Sequence, residues 1–468
     1  MPAPILAVRL THYRQCYADC FKTKTRDSSH YAFDYLGGLL RMTTERNFTA
    51  IGRTTGNPGQ NIEHFMTNSP WSAQSVLVKV RQEIAGVPEF ASGGMLLLDE
   101  SADKKASSKT AGAGRQHNGR LGKIDMSQVG TFLAYVNGEI WTWVDGELFL
   151  PQHWFDPGMT SERRRLGIPE DRGFATKIEL GWRMIERVAK EGLPFEAVGC
   201  DTLYGRSTWL RRKMECAGLV YMADIPVDTK VYLERPRVGV PRDKAGRQGR
   251  ACKRVCVLSS HKPVEVRRVA QSSDTRWRRI RVRATERGEL CEEFRVRRVW
   301  TTHGGEEAVE ELLVMRRDGD GKCHYALSNA GVDTPIERLA WMKCQRHFIE
   351  CANRDAKSEC GWDELRAQKY VAWGHHLALT ILATWFVGRT KHEWAKKYAR
   401  EPELRSQFEV EVLPMLSMGN VRELLRAAMP LPQLTVEQAA ELVVEHLVNR
   451  TRSRKSRMNK LSHGKSPP

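Results

Sequence analysis

The chain of 468 residues lacks the regular cysteine framework of a secreted scaffold. Its eleven cysteines are odd in number and scattered, which fits reduced thiols in a cytoplasmic protein. Cys16 and Cys20, and again Cys252 and Cys256, stand four positions apart without paired histidines, so neither pair is read as a zinc site. The opening residues MPAPILAVRL hold no basic stretch followed by a long apolar run, so no secretory signal is expected. Long uncharged runs are scarce too. The longest, residues 371–388, contains His375, His376 and two threonines, and it is read as a buried helix rather than a membrane span. No internal repeat is present.

Acidic residues are in short supply in two places. Lys and Arg total 74 against 56 Asp and Glu, a net charge of +18. Residues 235–300 carry 20 basic and 7 acidic side chains, and residues 450–468 carry 7 basic and none acidic. The rest of the chain is therefore nearly neutral. Concentrated positive charge points to a polyanionic partner, and nucleic acid is the foremost candidate.

Residues 1–90 show mostly helical patterning. Met95-Leu96-Leu97-Leu98-Asp99 is an apolar run ending in a carboxylate, as expected of a buried strand. Strands follow at 129–136 and 139–144, and Asp145-Gly146 is read as a turn into Leu148-Phe149-Leu150. An amphipathic helix at 177–191 precedes a second apolar run ending in an acid, Ala197-Val198-Gly199-Cys200-Asp201. A helix at 207–217 and a strand at 219–225 complete an α/β pattern with a mixed sheet. Residues 229–331 interrupt it with a basic, β-patterned insertion. Helical patterning returns over 332–400 and 401–449, and the Ser/Arg/Lys-rich tail 450–468 is expected to be disordered.

Asp99 and Asp201 could each be a loop cap at a sheet edge. The helix predicted over 336–357 changes the weighing. Lys343, Arg346, Glu350 and Lys357 are spaced to share one helical face, which would set one acid among three bases. A salt-bridged surface would look the same, but so would a metal-binding carboxylate among phosphate-binding cations.

Several blocks resemble the bacterial insertion-sequence transposases of the DDE type, closest to the IS701 family in the IS4-like group. They are Asn61-Ile62-Glu63-His64-Phe65, Ser69-Pro70-Trp71, Leu98-Asp99-Glu100-Ser101 and the segment from Arg115 to Asp125. Glu162-Arg163-Arg164-Arg165, Gly167-Ile168-Pro169-Glu170, and Asp201 with Tyr204-Gly205 follow in order. Last comes Arg346, Glu350 and Lys357 at the spacing of the family's Tyr-Arg-Glu-Lys signature, with Lys343 in place of Tyr. The resemblance implies an RNase H-like catalytic core, interrupted by a β-rich insertion and flanked by helical N- and C-terminal regions. It implies Asp99, Asp201 and Glu350 as catalytic acids and ligands of two Mg²⁺ ions, or Mn²⁺ in their place. It also implies cleavage at transposon ends, joining of the 3′-OH to target DNA, a homodimer on DNA, and no membrane. Residues 1–90 would bind the ends or dimerise.

Glu100 stands where the family has a second Asp, so Asp99 is favoured as first ligand with Glu100 as the alternative, and a catalytically lapsed DNA-binding protein is the competing reading. Lys343, Arg346 and Lys357 are expected to hold DNA. In the insertion, Arg278, Arg281 and Arg297 are expected to form basic rows on strand faces, with Trp300 or Trp277 as a base-stacking aromatic.

Overall fold

The computed structural model describes residues 4–43, 45–119, 121–241, 253–258, 262–272, 276–285, 288–303, 307–432 and 435–462. Arg120, Cys252 and the last six residues of the tail lie outside them. Among the described residues, ten strands form one mixed sheet. They are β1 (Met95–Lys104), β2 (Gly114–Asn118), β3 (Lys123–Asn137), β4 (Ile140–Leu148), β5 (Ala197–Cys200), β6 (Tyr221–Ile225), β7 (Arg278–Thr285), β8 (Gly288–His303), β9 (Glu307–Arg317) and β10 (Cys323–Ser328).

Their order is β7-β8-β9-β10-β6-β5-β1-β3-β2, with β4 also pairing β3. β1, β5 and β6 run parallel, and the other pairings are antiparallel. Two short pairs in the basic insertion, Lys230–Val231 with Val264–Glu265 and Val238–Gly239 with Cys256–Val257, form small sheets of their own, but its long strands do not. They continue the central sheet from the edge of β6, through the pairing of Ala326 with Asp224.

Both faces of the sheet are covered, which explains the unbroken apolar runs of β1 and β5. One face receives the helix Lys177–Lys190, whose start is fixed by a capping box between Thr176 and Glu179. Gly181 of this helix sits so close to Leu98 of β1 that a Cβ there would fall 2.6 Å from a Leu98 methyl. Beyond it, a smaller core of Ile225, Val231, Val269, Val299, Leu313, Met315 and Leu327 lies under the insertion. The other face receives the helices Ile336–Cys344 and His347–Ser358.

The run at 371–388 lies in a helix spanning Tyr370–Tyr398, and 89% of its most apolar window is buried inside the protein. N-terminal helices surround it. Trp71 stacks on His375 at 3.7 Å between ring centroids, and Tyr35 meets His376 Nδ1 at 2.9 Å. Burial pushes these imidazoles down to about 4 and about 3, so both are neutral core histidines. Residues 4–90 therefore share the main hydrophobic core with the sheet.

Three expectations need correction. Asp145-Gly146 is not a turn but part of β4, where Val144 is an extra residue opposite the Leu133–Ala134 step of β3, a bulge that re-aims the strand. Asp145 is buried there, 2.8 Å from Arg187 and 3.7 Å from Arg81. The helix predicted over 336–357 is two helices, with a break at Gln345 and Arg346. Residues 450–462 are not disordered but continue the helix Val436–Ser462. Their Arg, Lys, Leu and Met are strong helix formers, and no Gly or Pro intervenes before Gly464.

Candidate active site

Strand register decides which carboxylates can meet. In the parallel pair of β1 and β5, Leu98 faces Cys200, so Asp99 and Asp201 are the next partners along. In the pair of β5 and β6, Cys200 faces Ala223, so Asp201 and Asp224 come next. Because side chains alternate between faces, Asp99, Asp201 and Asp224 fall in one row across three neighbouring strands. Asp224 was not singled out in the sequence. The signal available was a third apolar strand ending in an acid, in Tyr221-Met222-Ala223-Asp224.

The same alternation separates Asp99 from Glu100. Asp103, two pleats beyond Asp99, meets Lys357 of the helix His347–Ser358 at 3.1 Å. Glu100, with the parity of Leu98, meets Lys177 of the helix Lys177–Lys190 at 3.1 Å. Asp99 therefore faces the helix that carries Glu350, and Glu100 is directed to the opposite layer.

Asp99 Oδ1 accepts a hydrogen bond from the Glu100 N–H at 2.8 Å. Asp201 caps a short helix, with Oδ1 accepting from the N–H groups of Leu203 at 3.0 Å and Tyr204 at 3.3 Å. Burial, together with the charge of Asp201, pushes the Asp99 carboxyl up to about 7. Burial and the charge of Glu100 raise Asp201 as well. Two neighbouring acids that both resist ionisation form a site short of positive charge.

The cations of the broken helix lie beside this row. Lys343 is buried and reaches Asp224 Oδ1 at 2.6 Å. Arg346 bridges, with Nε 3.4 Å from Asp224 Oδ2 and Nη2 2.6 Å from Glu350 Oε1. Burial opposes the charge of Arg346, but Asp224, Glu350, Asp99 and Asp201 outweigh it and raise its pKa. Lys357 is at the other end of the helix, bonded to Ala102 O and Asp103. The structure thus brings Lys343, Arg346 and Glu350 together and leaves Lys357 apart.

The insertion candidates do not form one row. Arg278 and Trp300 have the parity of the sheet face that carries the Glu350 helix, while Arg281 and Arg297 have that of the opposite face. Arg278 pairs with Glu337 at 2.8 Å and Arg281 with Glu289 at 2.7 Å. The backbone of Trp300 is bonded to Tyr232, and its ring lies under Arg298. Trp277 lies under the Arg317 guanidinium at 4.2 Å and packs on the small core.

Among the described residues, no three Asp, Glu, His or Cys side chains are gathered closely enough to hold a metal ion. Glu350 is half-exposed and engaged with Arg346. The donor set still fits a hard divalent cation, because Asp99 and Asp201 are oxygen donors with no ion-pair partner among the described residues, and the charge of Arg346 only partly offsets their burial. Glu350 is the member that would have to turn.

Comparison with known proteins supplies the family. Residues 16–289 match the DDE superfamily endonuclease family, a span that includes Asp99 and Asp201 and ends before Glu350. A probable transposase for the insertion sequence element IS701, from Microchaete diplosiphon, is 29% identical over 198 residues. That stretch is 41% of this chain and 47% of the relative, so the likeness spans about half of that protein. The family match covers more than half of the 468 residues, and the chain belongs to the DDE superfamily endonucleases.

Proposed function

We propose that this protein is a DNA transposase that cleaves phosphodiester bonds at the ends of its element and joins the freed 3′-OH to target DNA. The observation that carries the reading is the register that sets Asp99 beside Asp201 on the sheet face covered by the Glu350 helix. The β4-β3-β1-β5-β6 part of the sheet is the RNase H-like core of this reading, and the strands after β6 are its insertion. The protein acts on double-stranded DNA in the bacterial cytoplasm, as a homodimer on the paired ends.

Asp99, Asp201 and Glu350 are the acids that would hold Mg²⁺. When bound as a pair, the ions supply charge stabilisation to the attacking and leaving oxygens of an in-line displacement at phosphorus. The protein's own side chains do the positioning. Asp201 is oriented by the two N–H groups of its helix, and Asp99 by its neighbour's N–H. Arg346 offers a planar fork that a DNA phosphate can take in place of Glu350, while Asp224 keeps the guanidinium at the site. Lys343 adds a second charge from behind.

The test is cleavage of a labelled duplex carrying the element's own ends, in Mg²⁺. Wild type and Glu100→Ala are expected to cut, and Asp99→Ala, Asp201→Ala and Glu350→Ala to lose cutting while binding the duplex. A wild type that binds the ends and never cuts them would sink the proposal and leave a DNA-binding protein.

A further inference from the structure

The insertion strand β7 begins with strict alternation, but its register with β8 slips between Arg281 and Arg283. Arg281 faces Cys291, and Arg283 already faces Leu290, so Val282 is an extra residue, a β-bulge. Without it, Arg283 would point to the same side as Arg279 and Arg281. With it, Arg283 turns to the face that carries Asp224, and its guanidinium lies over the Phe348 ring at 4.7 Å. Phe348 belongs to the same helix as Glu350.

Arg283 thereby lines a cleft of ≈ 360 Å³, together with Arg316, Lys343, Arg346, Glu292 and Glu350. The charges in the cleft can be matched one by one. Lys343 and Arg346 share Asp224, Arg346 also takes Glu350, and Arg316 meets Glu292 at 2.8 Å. Arg283 has no carboxylate partner among the described residues, and its Nε is buried without a hydrogen-bond acceptor. A buried guanidinium nitrogen left without an acceptor is costly unless something supplies one. The neighbouring strand arginines Arg278 and Arg281 each have a carboxylate.

We infer that Arg283 is a phosphate-binding residue of the insertion, which takes one backbone phosphodiester of the DNA strand lying at Asp99 and Asp201. This rests on the transposase reading of that site. The ligand class follows from the chemistry: a planar fork with a free edge suits a phosphate oxygen pair, and the ring of Phe348 holds the fork without satisfying it. The bulge gives the insertion a hand in the active cleft that plain strand alternation would withhold.

The experiment measures binding of the element's end duplex by the full chain across a range of salt concentrations. Arg283→Gln is expected to bind about tenfold more weakly, and to flatten the slope of log affinity against log salt by about one. Arg283→Met, which retains packing on Phe348, should give the same result and stands in if the Gln variant fails to fold. Lys190→Gln, on the helix that covers the opposite face of the sheet, is the control for loss of any one charge. A second arm uses duplexes with a single neutral methylphosphonate at each linkage beside the cleavage point. Wild type should lose affinity at one linkage, and Arg283→Gln should be indifferent to that linkage alone. An unchanged slope in both Arg283 variants, or equal sensitivity of wild type and variant at every linkage, overturns the inference while a cutting wild type upholds the transposase reading. A wild type that never cuts, with the slope change present, overturns that reading and leaves Arg283 as a phosphate ligand.

Discussion

The crowding of Asp99 and Asp201 carries a cost in stability that can be measured. Asp99 titrates near 7 in the folded protein against 3.8 for an unperturbed side chain, because burial and Asp201 disfavour its anion. Folded protein therefore keeps a proton that the unfolded chain has already lost. Its stability contribution is intact below about pH 4 and falls by about 1.4 kcal/mol per pH unit until about pH 7. The total is about 4 kcal/mol, flat at higher pH. Asp99→Asn, which cannot ionise, removes this dependence. Urea unfolding in EDTA should give similar stability for the two proteins at pH 4 and an advantage of several kcal/mol for the variant at pH 8. Mg²⁺ at about a hundred times its Kd should return about 2.7 kcal/mol to wild type at pH 8 and nothing comparable to the variant. Cleavage should be lost in the variant throughout. A difference between the two proteins that is the same at pH 4 and pH 8 would refute the argument, since it would show that Asp99 ionises without hindrance.

Two further perturbations follow from the packing around this row, and a third concerns the C-terminal helix. Asp224→Asn strands the buried Lys343, whose side chain is 4% exposed, and should cost about 3 kcal/mol; in a Lys343→Met background the same change should cost far less, and equal costs in both backgrounds by urea unfolding would contradict the pairing. Gly205→Ala would drive a Cβ into the Asp224 carbonyl and to 3.0 Å from Ala223 C; a loss of about 1–3 kcal/mol and impaired cutting are expected, and an unchanged melting temperature would show that the Asp201 turn does not press on β6. Removal of residues 435–468, a largely exposed helix and its basic end, should leave the melting temperature within about 1 °C and flatten the salt dependence of DNA binding; preserved salt dependence would mean that these basic residues do not touch DNA.

Much of this site could be read from the chain because strand residues announce themselves. Runs such as Met95–Leu98 and Ala197–Cys200 are apolar without alternation, which marks strands covered on both faces, and an acid at the end of each is a visible exception. What the pattern could not supply was register. Asp224 ends a similar run, yet only the pairing of Cys200 with Ala223 shows that it stands beside Asp201. Helical spacing misled for a related reason. Lys343, Arg346, Glu350 and Lys357 share a face only if one straight helix carries them, and the break at Gln345–Arg346 sends Lys343 inward to Asp224 while Lys357 goes to Asp103. The arginine rows failed for a plainer reason: Arg278 and Arg281 are three residues apart, so alternation itself puts them on opposite faces, and the sheet matches each of them with a glutamate.

The row of three aspartates also explains how one site can attract both a cation and a polyanion. Were all three unpaired, their summed charge would repel DNA from the cleft. Were all three paired, nothing would draw a divalent ion. The structure divides the row: Asp224 is neutralised by Lys343 and Arg346, and Asp99 and Asp201 have no ion pair among the described residues. Negative charge is thereby confined to β1 and β5, while positive charge accumulates on the β6 side, where the insertion strands begin and Arg283 is turned inward. The gradient across three strands, roughly 10 Å at ordinary strand spacing, runs from a place for metal to a place for phosphate. Because the insertion continues the sheet that bears the acids, the phosphate-binding side is fixed in register to the metal-binding side. A substitution that shifted β10 by one residue on β6 would move every insertion arginine to the wrong face while leaving Asp99 and Asp201 where they are.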